Sequence, residues 1–264
     1  GKFNADIDFS EKNLVINIKK IHFSQISNLN EINWKKSGVD IVLECTGKNN
    51  SKEKSTQHLH NGAKKVIVSA PCKNADKTIV YGVNHNSVGK NDLIISAASC
   101  TTNCLAPVAF VLNKKFKIEK GFMTTIHSYT TDQRLLDNSH KDLRRARSAG
   151  QSIVPTSTGA SKALGEIIPD LKGKLEGLAV RVPTQNVSMI DFVFNSKSKL
   201  SIKEINDSFI EASNKELKNI LETTKEKLVS IDFNHNPSSA IIDLSLTNVV
   251  GNNMGKVSAW YDNE

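Results

Sequence analysis

The sequence predicts an α/β chain with a partial, doubly wound parallel-sheet domain over residues 1–99. An α+β domain on a largely antiparallel sheet follows over residues 100–264. Three observations carry this prediction. Up to about residue 97, short apolar runs ending in small residues alternate with helix-forming segments, the pattern of buried parallel strands and crossover helices. Beyond residue 100 the strand-like runs lengthen and the helices between them become few. A small-residue stretch, Ser96-Ala-Ala-Ser99, divides the two patterns.

Residues 1–38 read as a hairpin-like edge and a helix. Val39 to Gly47 is an apolar run closing in Thr-Gly, a buried strand entering a βα turn. Helix formers run from Ser51 to His60 with Gly62 as a C-terminal cap. Strands are then expected at Lys65–Pro71, Thr78–Val83 and Leu93–Ala97. In the second domain a helix (Thr101–Lys114) leads to a strand (Gly121–Tyr129), and a polar, arginine-bearing loop follows from Thr130 to Ser157. A helix over Gly159–Leu171 and strands near 176–183 and 188–196 come next. Ser201-Ile-Lys-Glu204 is a capping box that opens a helix through about Leu221. Strands near 229–233, 240–250 and 256–261 complete the chain.

Composition excludes several classes. The 264 residues carry 35 basic and 27 acidic side chains, a net charge of +8, with 23% charged residues and a mean hydropathy of −0.32. That is the profile of a soluble globular chain. No stretch approaches the ~20 apolar residues of a membrane helix. Four cysteines make no disulfide framework and suit a reducing, cytoplasmic setting. The sequence starts at Gly1 without a leader and stops at Glu264 directly after a strand-like run, as expected of a piece of a longer protein. Lysine outnumbers arginine 30 to 5 and is scattered along the chain, which argues against nucleic-acid binding. Four of the five arginines (Arg134, Arg144, Arg145, Arg147) lie within fourteen residues, pointing to bidentate anion binding or to a structural ion-pair cluster.

The chemistry concentrates in three segments. In Ser99-Cys-Thr-Thr-Asn-Cys-Leu105 a cysteine stands in the first turn of a helix, where unpaired N–H groups and the helix dipole favour a thiolate and a developing oxyanion. Cys104 follows one turn later, but no second pair at zinc spacing accompanies it, so no metal site is expected. Cys45 and Cys72 read as core or bystander residues. His127, in Thr125-Ile-His-Ser-Tyr129, sits near a strand end and is a candidate general base. The other six histidines read as structural. Arg144–Arg147, Thr156–Ala160 and Arg181-Val-Pro-Thr184 together form a phosphate-binding set. A nucleophilic cysteine, a histidine and two anion sites point to acyl-thioester chemistry on a phosphorylated substrate.

These segments, with Asn186-Val-Ser188 and Trp260-Tyr-Asp-Asn-Glu264, resemble the phosphorylating glyceraldehyde-3-phosphate dehydrogenases over essentially the whole chain, in order. The resemblance implies a partial Rossmann-type domain ahead of a catalytic domain. It implies Cys100 as the nucleophile that forms a thiohemiacetal and then a thioester, and His127 as its base. Thr130 and Arg181 would match the substrate-phosphate site; Ser99, Thr101, Thr158 and Gly159, with Arg145 nearby, the inorganic-phosphate site. Thr46, Gly47 and Asn263 would face the cofactor, NAD with NADP as the alternative. The implied reaction oxidises glyceraldehyde 3-phosphate with inorganic phosphate to 1,3-bisphosphoglycerate. The implied assembly is a cytoplasmic homotetramer in which the loop from about 130 to 151 reaches a neighbour.

Two departures stand out. The loop carries Asp137-Asn-Ser-His140 where NAD-specific members commonly have Leu-Pro, and Asn49 follows Thr46-Gly-Lys48 where an aromatic is usual. No Gly-x-Gly-x-x-Gly loop is present; a dinucleotide-binding domain would carry it upstream of Gly1, and the piece alone is expected to be inactive. Erythrose-4-phosphate dehydrogenase and a non-catalytic binding role remain the alternatives.

Overall fold

The computed structural model describes residues 3–10 and 12–264; expectations for Gly1, Lys2 and Glu11 lie outside them. The hairpin-like edge is an antiparallel three-stranded sheet of β1 (Ile7–Ser10), β2 (Asn13–Ile16) and β3 (Lys19–His22). The helix expected after it does not form. Asn28 accepts from Asn30 N at 3.1 Å and Asn33 from Lys36 N at 2.9 Å. These local bonds compete with helical ones and leave a single 3-10 turn, Leu29–Glu31.

The parallel sheet contains β4 (Ile41–Glu44), β5 (Lys65–Val68), β6 (Lys77–Thr78) and β7 (Ile94–Ser96), in the order β4-β5-β7-β6. Helix α1 (Lys52–His60) connects β4 to β5, and the Ser51 side chain caps it by accepting from Lys54 N. Strand β6 is shorter than the Thr78–Val83 run predicts. Asn84 accepts from Val80 N at 2.8 Å and donates to the Thr78 carbonyl at 2.9 Å, turning the chain out of the sheet.

The second part is an eight-stranded, largely antiparallel sheet with three helices against one face. In chain order its elements are α2 (Cys100–Phe116), β8 (Ile118–Ser128), β9 (Val154–Ser157), α3 (Ala160–Ile167), β10 (Leu175–Val182), β11 (Ser188–Ser196), α4 (Ile202–Asn214), β12 (Leu221–Thr224), β13 (Ala240–Asp243), β14 (Asn248–Val250) and β15 (Met254–Tyr261). The strand order is β12-β13-β15-β11-β8-β10-β9, with β14 paired to β15; β8–β10 and β12–β13 are the parallel pairs. Along β11, Ile190, Phe192 and Phe194 alternate inward and meet Leu105, Val108 and Leu112 of α2 in one core. That core packs α2 against β8, with Ile118 and Met123 of β8 in the same cluster.

Other departures also have local causes. Pro169 ends α3 early, and Val154–Ser157, read as loop, pairs with β10 as β9. Helix α4 stops at Asn214, and Asn219 takes a left-handed conformation (φ 65°) that turns the chain into β12. Residues 229–233 alternate like a strand but form a 3-10 turn, Ser230–Phe233. Asp232 accepts from Val229 N at 2.8 Å, while Val229 and Ile231 lie exposed. The run 240–250 is split between β13 and β14.

Candidate active site

Cys100 owes its place to a short turn between β7 and α2. Ala98 adopts a left-handed conformation (φ 60°), and its N–H donates to Ser96 Oγ at 3.1 Å. Ser99 then caps the helix by accepting from Thr102 N at 3.1 Å, while Asn103 Nδ2 donates to the carbonyls of Ala97 and Ser99. Cys100 and Thr101 therefore precede the first intrahelical bond, Asn103 N to Ser99 O, and their amides belong to the helix's open donors. Cys104, one turn on, is fully buried and burial raises its thiol pKa well above the usual range, so it is no nucleophile.

Cys100 Sγ lies 3.5 Å from Nε2 of His127, which β8 presents from the same side. His127 Nδ1 is 2.7 Å from the Ser128 carbonyl. A carbonyl only accepts, so this bond assigns the proton to Nδ1 and leaves Nε2 as the acceptor facing the thiol. Arg181 Nη1 donates to the same carbonyl at 3.0 Å and lies 3.0 Å from Nδ1. Burial, then the charge of Arg181, lowers the His127 pKa to about 4 against the pull of the Ser128 carbonyl, with Arg145 adding to the fall. The imidazole of His127 is thus neutral at rest, with Nε2 turned to Cys100 Sγ and free to receive a proton.

A cavity of about 640 Å³ opens at this pair. Ser99, Cys100, Thr101, His127, Thr130, Arg145, Thr158, Gly159 and Arg181 all line it, so the predicted nucleophile, base and anion residues converge. Arg181 Nε is buried with no partner in the protein, a donor that an anionic oxygen satisfies. Thr158 Oγ1 accepts from Ala160 N at the start of α3. Thr101 presents its backbone more than its hydroxyl, because Oγ1 bonds Tyr261 OH at 2.9 Å in the core. Of the loop arginines only Arg145 reaches the cavity. It is held by Thr156 Oγ1 at 3.0 Å and by the carboxylate of Asp132. Arg147 pairs with Asp137 at the surface and Arg134 bonds the Ser139 carbonyl, so much of the arginine cluster is loop architecture.

On the other side of Cys100 a second cavity of about 430 Å³ lies beyond the carboxyl ends of β5 and β7. Asn263 lines it. Asn263 Oδ1 accepts from Ser128 Oγ (2.8 Å) and Ser188 Oγ (2.9 Å), which aims Nδ2 at Cys100 Sγ (3.7 Å) and His127 Nε2 (3.4 Å). Thr46 and Gly47 stand on the turn after β4, outside the residues lining that cavity. Gly47 has φ 72° and open space where a Cβ would project. The carboxyl ends of parallel strands are where open α/β sheets bind dinucleotides, and an amide aimed at the reacting pair fits a nicotinamide carboxamide. Among the described residues no three His, Cys, Asp or Glu side chains gather as a metal site, and no helix is long and apolar enough to cross a membrane.

Comparison with known proteins decides the family. Residues 99–263 match the model of the glyceraldehyde 3-phosphate dehydrogenase C-terminal domain, and residues 1–52 that family's NAD binding domain. The chain belongs to the glyceraldehyde-3-phosphate dehydrogenase family. It is 51% identical over 264 residues to a glyceraldehyde-3-phosphate dehydrogenase of Xanthobacter flavus, covering all of this chain and 79% of that protein. It is 52% identical over 262 residues to glyceraldehyde-3-phosphate dehydrogenase 2 of a Nostoc species (99% and 78% covered). With glyceraldehyde-3-phosphate dehydrogenase 2 of Bacillus subtilis it shares 49% over 265 residues (100% and 78% covered). Like its family, it is an oxidoreductase with NAD as cofactor.

Against this family background, three features escaped the sequence reading. Cys72, read as a core or bystander residue, lines the same cavity as Cys100. His58, rightly taken as structural, belongs to a buried chain in which Trp34 Nε1 donates to His58 Nδ1 (3.1 Å) and His58 Nε2 donates to Glu44 (2.9 Å). The third is Tyr261, whose hydroxyl meets both Thr101 and Thr125. An apolar strand ending in Glu-Cys-Thr-Gly was a usable signal for Glu44, since a carboxylate at a buried strand end needs several donors.

Proposed function

We propose that this chain carries the catalytic centre for the phosphate-dependent oxidation of glyceraldehyde 3-phosphate to 1,3-bisphosphoglycerate, with Cys100 and His127 as its catalytic residues. The observation that carries the reading is Cys100 Sγ 3.5 Å from His127 Nε2, in a cavity that also holds Arg145 and Arg181. Arg181 and Thr130 bind the phosphate of the substrate; their mutual contact (3.4 Å) and the partnerless Arg181 Nε support this. Ser99, Thr101, Thr158, Gly159 and Arg145 bind inorganic phosphate, with Thr101 contributing through its amide.

The thiol proton passes from Cys100 to His127 Nε2, and Sγ attacks the aldehyde carbon to give a thiohemiacetal. The developing oxyanion meets the open amides of the α2 N-terminus. His127 returns that proton to the oxyanion, giving the thiohemiacetal hydroxyl, and takes it back from the hydroxyl as the carbon is oxidised. NAD, when bound by Asn263 and the turn at Thr46 and Gly47, supplies the two-electron acceptor. A phosphate oxygen attacks the resulting thioester carbonyl, and the sulfur of Cys100 leaves as thiolate, releasing the acyl phosphate. Atoms and charge balance with one proton released.

The reading divides the chain into a cofactor domain (1–99) and a catalytic domain (100–264), supported by a small separate core of Val66, Val68 and Ile94 on one side of Ser99. A cytoplasmic homotetramer completes it. Four unpaired cysteines suit a reducing compartment, and Leu135, Leu136, Leu143 and Ile153 stand 70–83% exposed on the loop after Thr130, an apolar surface suited to a second subunit.

The test is phosphate-dependent NAD reduction by the chain carrying a complete cofactor domain. C100S abolishes turnover and H127N lowers kcat by about 10²–10⁴. A C100S variant that retains wild-type turnover sinks the reading.

A further inference from the structure

Tyr261, on β15, is 1% exposed, yet its hydroxyl touches both catalytic elements. Its oxygen is 2.9 Å from Thr101 Oγ1, the residue after the nucleophile in the first turn of α2, and 2.8 Å from Thr125 Oγ1 on β8. Thr125 precedes His127 by two residues and so shares its face of the strand. A phenol has one proton, so it donates to one threonine and accepts from the other. Both threonines are buried, at 3% and 0% exposure. The rings of Tyr261 and His127 also meet in a T-shaped pair, with centroids 6.1 Å apart and planes at 82°. A phenylalanine would fill the same apolar space and leave two buried hydroxyls short of a partner.

We propose that Tyr261 is a positioning residue that ties the first turn of α2 to β8 and thereby sets the separation of Cys100 from His127. This rests on reading Cys100 and His127 as the reacting pair. A proton crosses that gap efficiently only while donor and acceptor stay within hydrogen-bond reach, and at 3.5 Å the gap leaves little slack. Sub-ångström drift between helix and strand is what a buried three-membered hydroxyl bridge resists.

The experiment uses the 264-residue chain and iodoacetamide at pH 7, with exposed Cys45 as the internal reference thiol. The ratio of Cys100 to Cys45 labelling is followed by peptide mass, beside the thermal midpoint. Wild type labels Cys100 faster than Cys45. Y261F and T125V each lower the ratio about three- to tenfold, the worth of one hydrogen bond, and the double variant lowers it no further than either. I190V, a core change in the same layer, lowers the thermal midpoint comparably and leaves the ratio alone. An unchanged ratio in Y261F, or an equal fall in I190V, overturns the positioning role. Wild-type Cys100 labelling no faster than Cys45 instead removes the underlying active-site reading.

Discussion

His127 is pulled in two directions. Burial and two guanidinium groups hold its pKa at about 4, while the chemistry asks it to take a proton at neutral pH. An anion resolves the conflict. In the proposed mechanism, phosphate held by Arg181 and Arg145 would offset the charges that oppose the imidazolium, so substrate binding would make the base stronger. Saturating inorganic phosphate should therefore raise the His127 pKa, read from its ring resonances in NMR titration. A titration indifferent to phosphate would remove this link. The same depressed pKa has a stability consequence. Between about pH 6.5 and 4 the unfolded chain binds a proton at His127 that the folded chain refuses, so stability falls as pH is lowered through that window. Cys100 and His127 were both readable from their segments, since a capped helix start and a histidine at a strand end are local patterns. The tautomer was not, because the Ser128 carbonyl and Arg181 that set it meet only in the folded sheet.

At the scale of the element, the turn after β4 shows how one buried side chain shapes a segment. Glu44, 2% exposed, accepts from Thr46 N (2.8 Å), Thr46 Oγ1, Asn49 Nδ2 (2.8 Å) and His58. Burial pushes its carboxyl up, but the bonds from Thr46, Asn49 and His58 outweigh it and hold the pKa at about 2. E44Q sets an amide donor against donors and should cost about 2–4 kcal/mol, measured by urea unfolding. Wild type should lose Glu44's contribution as pH falls from about 4.5 towards 2, while E44Q stays flat there. Equal acid sensitivity of the two proteins would place the acid-labile group elsewhere. Asn49, which departs from the usual aromatic, is one of the donors to Glu44, so the departure is absorbed by a bond within the turn. Strands and helices with clear periodicity, such as β11 and α2, were legible. The segments at 28–33, 78–83 and 229–233 were not. Their side chains bond their own backbone, and hydrophobic periodicity is blind to that competition.

Across the whole molecule, the loop that lies beside the Cys100 cavity carries the most exposed leucines. If the exposed leucines of that loop meet a second subunit, the L135D/L136D double variant should sediment as a smaller species than wild type, with unchanged secondary structure by circular dichroism. Identical sedimentation would dismiss that surface. Composition, strand and helix alternation, the capped cysteine and the family's motifs were all determined by the sequence alone, because each is written within a few neighbouring residues. The tertiary structure decided which groups meet. Tyr261 reaches Thr101 across 160 residues, Asn263 reaches His127 across 136, and Glu44 reaches His58 from strand to helix. It also sorted the arginines, sending Arg145 and Arg181 to the cavity and Arg147 to a surface pair. The physical reason is that buried polar groups choose partners by distance in the folded core, where an unmet hydrogen bond is costly, and sequence separation carries no record of that distance.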